Sequence, residues 1–144
     1  MKIKKVAIIG QGQFGRFMGS HLEQYFEVLP FLRLSDPVIL EDCDVVIFAV
    51  PFSGLEAVIK KVKKHIRTDA IVIDVCSVKQ KPITLLKRHF KTQQILGTHP
   101  VFGPQSGKNG IEGLPIVLCN VSCTKPLYKK IVTFFKRHTY VTNH

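Results

Sequence analysis

The chain has 144 residues and a formal net charge of +11 at pH 7, with 45% hydrophobic and 22% charged residues. That is one domain by length, apolar enough to build a core and too apolar to be disordered. No apolar run approaches the ~20 residues of a membrane span. The N-terminal MKIKKVAIIG lacks the apolar stretch and cleavage site of a signal peptide. No membrane association and a cytoplasmic location are expected.

The four cysteines, Cys43, Cys76, Cys119 and Cys123, include no CxxC, and no histidine stands at ligand spacing beside them. They are expected to be reduced thiols, with no metal. Residues 60–91 hold ten basic residues against two acids. Lys60, Lys61, Lys63 and Lys64 fall between Val58, Ile59, Val62 and Ile66, as the solvated side of an amphipathic helix. No aromatic side chains interleave with them, so no nucleic-acid partner is expected. The positive field favours anionic metabolites and phosphorylated cofactors.

Residues 4–9 (KKVAII) form a β-branched run ended by glycine and predict a buried strand. Apolar residues between Phe14 and Tyr25 recur at helical spacing. Residues 27–32 predict a second strand, and Pro30 puts it at an edge or a bulge. Residues 35–44 read as a loop with at most one helical turn. Residues 44–50 (DVVIFAV) and 70–75 (AIVIDV) predict buried strands, each followed by a helix, over 54–66 and 81–90. A short strand over 94–97 leads into the Gly/Pro-rich loop THPVFGPQSG. A strand over 114–119 and a helix over 126–137 follow, and Tyr140–Val141 begins one more element. Strands alternate with helices, and most strands are apolar on both faces. The pattern is α/β: a Rossmann-type doubly wound, mainly parallel sheet with helices on both faces, and residues 1–144 form one dinucleotide-binding domain.

The first strand runs into Gly10-Gln11-Gly12-Gln13-Phe14-Gly15, a GxGxxG that also opens a helix. Gly10 permits the tight turn, Gly12 lets the backbone approach a pyrophosphate, and Gly15 lets the helix pack on the strand. The pyrophosphate would meet the free N–H groups at the helix start. At the end of the second strand an acid normally binds the ribose 2′-hydroxyl of NAD. Here Leu32 and Arg33 occupy that place, and Arg33 could hold a 2′-phosphate. NADP is favoured over NAD, with Asp36, three residues on, keeping NAD open.

Three more strand ends should converge on the ligand edge of the sheet: Ala49-Val50-Pro51, residues 75–79 with Ser77, and residues 97–100 with His99. His99, in a loop after its strand, could accept a proton as hydride leaves an alcohol carbon. The other five histidines sit on helix faces or near the C-terminus.

GTHPVFGPQSGKNG (97–110), DVCSVK (74–79), DVVIFAVP (44–51) and the GQGQFG loop together resemble the prephenate/arogenate dehydrogenase family of tyrosine biosynthesis. The HPxFGPxSGKNG form is most similar to plant-type arogenate dehydrogenases. The resemblance implies a nicotinamide-dependent oxidative decarboxylation of prephenate or arogenate. It implies a catalytic His99 on the ring hydroxyl, Ser77 orienting that hydroxyl, and a substrate-facing loop with Gly103, Gln105 and Ser106. Val50 and Pro51 would wall the cofactor. The resemblance implies a following helical domain that forms the dimer and completes the substrate site, and residues 1–144 are expected to lack it. A noncatalytic NADP(H)-binding module is therefore the alternative. Plant-type arogenate enzymes carry an acid where this chain has Gln105. A neutral amide pairs less strongly with the arogenate ammonium, which leans the reading toward prephenate.

Overall fold

A computed structural model describes residues 2–77 and 79–143, so Met1, His144 and Val78 of the DVCSVK segment lie outside the described residues. Seven strands form one sheet: β1 (Lys5–Ile9), β2 (Glu27–Phe31), β3 (Val45–Phe48), β4 (Ile71–Asp74), β5 (Gln94–Pro100), β6 (Pro115–Asn120) and β7 (Tyr140–Asn143). Their order is β2-β1-β3-β4-β5-β6-β7. All neighbours pair in parallel except β5 and β6. Four α-helices accompany them: α1 (Gln13–Leu22), α2 (Phe52–Val62), α3 (Gln80–His89) and α4 (Lys125–His138). The Rossmann-type expectation holds, and Pro30 does sit on the edge strand β2, where its missing N–H costs no ladder bond.

Strand alternation sorts the core into two layers. Val6, Ile8, Val45, Ile47, Ile71 and Ile73 meet Met18 and Leu22 of α1 and Leu127 and Ile131 of α4. Ala7, Ile9, Val46, Phe48 and Val72 meet Leu55 and Ile59 of α2 and Leu85 and Leu86 of α3. Strands buried on both faces carry almost no polar side chain, which is why they read as continuous apolar runs.

Three expectations need correction. The strand predicted over 94–97 runs on to Pro100, so His99 stands within β5, paired with Val117, and not in a loop. β6 supplies an antiparallel partner that the local sequence does not announce. The helix predicted over 54–66 ends at Val62 and tightens into a 3₁₀ turn over Lys63–His65, which turns the buried Ile66 back into the core. The region predicted as a loop over 35–44 holds a 3₁₀ helix, Pro37–Asp42.

At the opposite sheet edge from the glycine turn, Asp44 ties three elements together. Its Oδ2 accepts from the backbone N–H groups of Lys4 and Lys5 at 2.9 and 3.0 Å. Its Oδ1 accepts from the Arg67 guanidinium at 3.1 Å. Burial alone would raise the Asp44 pKa, but the two N–H groups and Arg67 outweigh it and hold the carboxyl below its ordinary value. A depressed carboxyl stabilises the fold above its unfolded pKa of ~3.9 and loses that contribution as pH falls through the folded value. Asp44→Asn is expected to cost about 1–3 kcal/mol at pH 7. Urea unfolding at pH 7 and below pH 4 should show the gap between parent and variant narrowing at the acid end.

Candidate functional site

The sheet order reverses at β1, whose neighbours β2 and β3 lie on opposite sides. In such sheets the ligand crevice lies beyond the carboxyl ends of the strands at that point. Gly10 closes β1 with φ +104°, a conformation other residues rarely adopt. A β-carbon on Gly10 would lie 2.5 Å from the carbonyl oxygen of Ala49, after β3. A β-carbon on Gly15 would meet the Gly10 carbonyl oxygen. These two contacts seat α1 directly on the turn.

Gly12 differs from both. Nothing lies within 4 Å of a β-carbon built there, and it caps α1 without any side-chain acceptor. The first turn of α1 therefore presents free backbone N–H groups to open space. Gln11 braces the loop by donating Nε2 to the Ile8 carbonyl at 3.1 Å. Gln13 begins the helix with an exposed side chain, and Phe14 is half-buried, 6.2 Å from the Phe17 ring. Open space over a bare helix start is the shape a dinucleotide pyrophosphate requires.

Arg33 lies two residues beyond β2, exposed, and its side chain has no partner among the described residues. Its carbonyl accepts from Lys61 Nζ of α2 at 2.8 Å. Asp36 is already engaged: its Oδ1 accepts from the Val38 N–H at 3.0 Å and caps the 3₁₀ helix. Val50 and Pro51 follow β3, Val50 half-buried and Pro51 exposed at the start of α2.

The ends of β3, β4 and β5 are joined by polar contacts. Cys76 Sγ donates to the Val50 carbonyl at 3.9 Å. Thr98 Oγ1 donates to the Asp74 carbonyl at 2.8 Å. Asp74, which closes β4, is fully buried. Its Oδ2 accepts from Lys79 Nζ at 2.8 Å and from the Cys76 N–H at 3.1 Å. Its Oδ1 has no hydrogen-bond partner among the described residues. Burial pushes the Asp74 carboxyl up, and Lys79 with the Cys76 N–H holds it partly back. The Asp74–Lys79 pair brackets Ser77 in sequence. The sequence reading passed over Asp74. Its signal was an acid ending the otherwise apolar run 70–75.

Ser77 is exposed and His99 half-buried. The β4–β5 register ends at Asp74↔Gly97, so His99 stands two residues along β5 beyond the last paired position, while Ser77 lies three residues past the end of β4. No hydrogen bond joins Ser77 to His99 among the described residues. The loop after β5 folds onto α1: Phe102 packs edge-on against Phe17, and Gly107 lies against the same ring. Ser106 Oγ accepts from the Gly103 N–H at 2.9 Å, so it holds a turn, while Gln105 is exposed. A cavity of about 660 Å³ lies elsewhere, between α1 and α4 over Ile47, Ile71 and Ile73, and neither Ser77, His99 nor the glycine turn lines it.

The family model for the prephenate dehydrogenase nucleotide-binding domain matches residues 32–141. The chain belongs to the prephenate dehydrogenase family. It is 30% identical over 132 residues to arogenate dehydrogenase 2, chloroplastic, of Arabidopsis thaliana, covering 78% of this chain and 37% of that protein. The chain therefore spans well under half the length of that relative. The crystal structure of prephenate dehydrogenase from A. aeolicus, in complex with hydroxyphenyl propionate and NAD+, superposes with a TM-score of 0.78 at 19% identity, over 100% of this chain and 60% of that one. The fold extends beyond the family: an imine reductase from Bacillus cereus gives a TM-score of 0.75 at 13% identity, over 98% of this chain and 54% of that chain. The glycine turn precedes the residues matched by the prephenate dehydrogenase model, so its reading rests on its own geometry.

The buried pair generates an asymmetric prediction. Lys79→Ala leaves the Asp74 carboxylate uncompensated, which costs roughly 3–5 kcal/mol. Asp74→Asn removes the buried charge and leaves Lys79, with 18% of its side chain exposed, to reach water. Urea unfolding should show Lys79→Ala as the more damaging change. Its deficit should shrink as pH is lowered, because protonation then relieves the carboxylate. Equal deficits, or a Lys79→Ala deficit that grows toward low pH, would contradict this account.

Proposed function

We propose that the chain is the dinucleotide-binding part of a dehydrogenase that oxidatively decarboxylates prephenate or arogenate, with NADP as the preferred cofactor. One observation carries the reading. A glycine turn with open space over a bare helix start lies at the switch point of a sheet in which Ser77 follows β4 and His99 stands near the end of β5. The family match and the relative named arogenate dehydrogenase support the chemistry.

In this reading the backbone of Gly10 to Gly15 holds the pyrophosphate, Val50 and Pro51 wall the cofactor, and Arg33 contacts the 2′-phosphate. One carboxylate oxygen of Asp36 is held by its helix cap, which weakens the case for NAD. The bound nicotinamide supplies a hydride acceptor. His99 accepts the proton of the ring hydroxyl as the carbon beneath it is oxidised. The carboxylate departs as CO2, its bonding electron pair completes the aromatic ring, and the proton returns to the phenolic oxygen. Ser77 orients the hydroxyl and does not take the proton. Gln105, exposed and uncharged, favours the keto acid prephenate over the ammonium-bearing arogenate. The helical domain through which the family dimerises would complete the substrate site. The four free thiols fit a reducing, cytoplasmic setting.

Gly12→Val places a branched side chain where the pyrophosphate would lie, at a position whose β-carbon meets nothing within 4 Å. Titration calorimetry should show at least a tenfold loss of NADP+ affinity with little change in the urea midpoint. Unchanged affinity would remove the glycine turn from the cofactor site.

His99→Asn tests the chemistry once the chain is joined to the helical domain of a family relative. Turnover of prephenate or arogenate should fall by ~10²–10⁴ with cofactor affinity preserved. Ser77→Ala should fall less. Parental turnover by His99→Asn would leave the β5 end as a wall of the site only. Failure of the joined protein to turn over either substrate would favour a noncatalytic NADP(H)-binding module.

A further inference from the structure

Lys61 stands apart from the other lysines of α2. Its Nζ donates to the Arg33 carbonyl at 2.8 Å and lies 5.9 Å from the centre of the Phe31 ring. Both partners belong to the end of β2. No carboxylate pairs with this ammonium among the described residues. Lys63, on the same basic stretch, is instead drawn to His89 on α3. Lys61 is thus a cation delivered from a second element to the backbone of the residue that carries the Arg33 guanidinium.

The neighbouring side chains leave that place open. Arg33 is exposed without a side-chain partner, and Leu32 and Leu34 on either side are 54% and 94% exposed. The one acid nearby in sequence, Asp36, has turned its carboxylate to the Val38 N–H. A guanidinium binds a phosphate as a planar fork, whereas an ammonium binds as a compact charge with three donors. One Lys61 donor is spent on the Arg33 carbonyl, and two remain.

We infer that Lys61 is a second specificity residue for the cofactor: it and Arg33 together clamp a phosphomonoester on the adenosine ribose, one from α2 and one from the β2 end. The inference rests on the reading that the glycine turn binds a nicotinamide dinucleotide. The carbonyl contact holds Lys61 in position before the ligand arrives, so little side-chain freedom is lost on binding. The two cations match the near-dianionic charge of a phosphomonoester at pH 7. NAD, which has a hydroxyl there, gains nothing from Lys61.

The experiment is calorimetric titration of NADP+ and NAD+ into the parent, Lys61→Gln, Lys61→Arg, Lys60→Gln and Arg33→Ala. Lys61→Gln is expected to weaken NADP+ roughly tenfold and leave NAD+ unchanged. Lys61→Arg should restore most of the loss. Lys60→Gln, which removes the same charge from the next position on α2, should change neither ligand. The parent's preference should shrink as salt is raised. Equal losses for Lys60→Gln and Lys61→Gln would reduce the effect to general charge and overturn the inference. So would a parent preference for NADP+ that Arg33→Ala erases and Lys61→Gln leaves intact, with the NADP reading still standing. A parent that binds neither dinucleotide overturns the underlying reading itself.

Discussion

The turn from β1 into α1 closes only because two α-carbons carry no side chain. Gly10 takes a positive φ with its α-carbon against the Ala49 carbonyl, and Gly15 lies against the Gly10 carbonyl. These contacts bring the start of α1 down onto the carboxyl ends of β1 and β3. Had either position a β-carbon, the helix would have to lift, and its free N–H groups would no longer face the crevice. The strand order then matters because it reverses at this place, so the crevice is open on the side where Arg33 and Val50 approach. The positive end of the helix and the +11 charge of the chain both favour an anion there.

The second half of the site is positioned by a buried charge. Asp74 ends a strand whose other residues are all apolar, with one carboxylate oxygen bound to Lys79 and the Cys76 N–H and the other without a partner among the described residues. Such an arrangement costs free energy compared with an apolar residue. What it provides is an anchor: the Cys76 N–H and Lys79 Nζ both bond to the Asp74 carboxylate, and Thr98 binds the Asp74 carbonyl from β5. Ser77, in the segment after β4, and His99, on the adjacent strand β5, each stand one residue from a hydrogen-bonded anchor, Cys76 and Thr98.

Much of this was legible in the chain. The glycine turn, the alternation of strands and helices and the edge position of β2 followed from local residue types, because the backbone demands at those places are local. The place of His99 was not. Gly97 and Pro100 read as breakers around it, yet β6 pairs with β5 through Pro100 from across an intervening loop, and pairing of that kind is non-local. The contact of Lys61 with Arg33 crosses from α2 to the end of β2, and the lysine is one of four in a run that looks uniformly solvated. The engagement of Asp36 by its own helix cap was likewise invisible, because an acid near a strand end reads as a ribose ligand until its hydrogen bond is seen.

The central claim is that the carboxyl ends of β1 to β5 form a dinucleotide site. Backbone amide NMR of the unaltered chain, titrated with NADP+, tests it most directly. The account predicts saturable shifts at Gly12 to Gly15, Arg33, Val50 and Ser77. Amides lining the cavity between α1 and α4, such as those of Ile131 and Phe134, should stay in place. Shifts centred on that cavity, or none at the glycine turn at saturating ligand, would contradict the account.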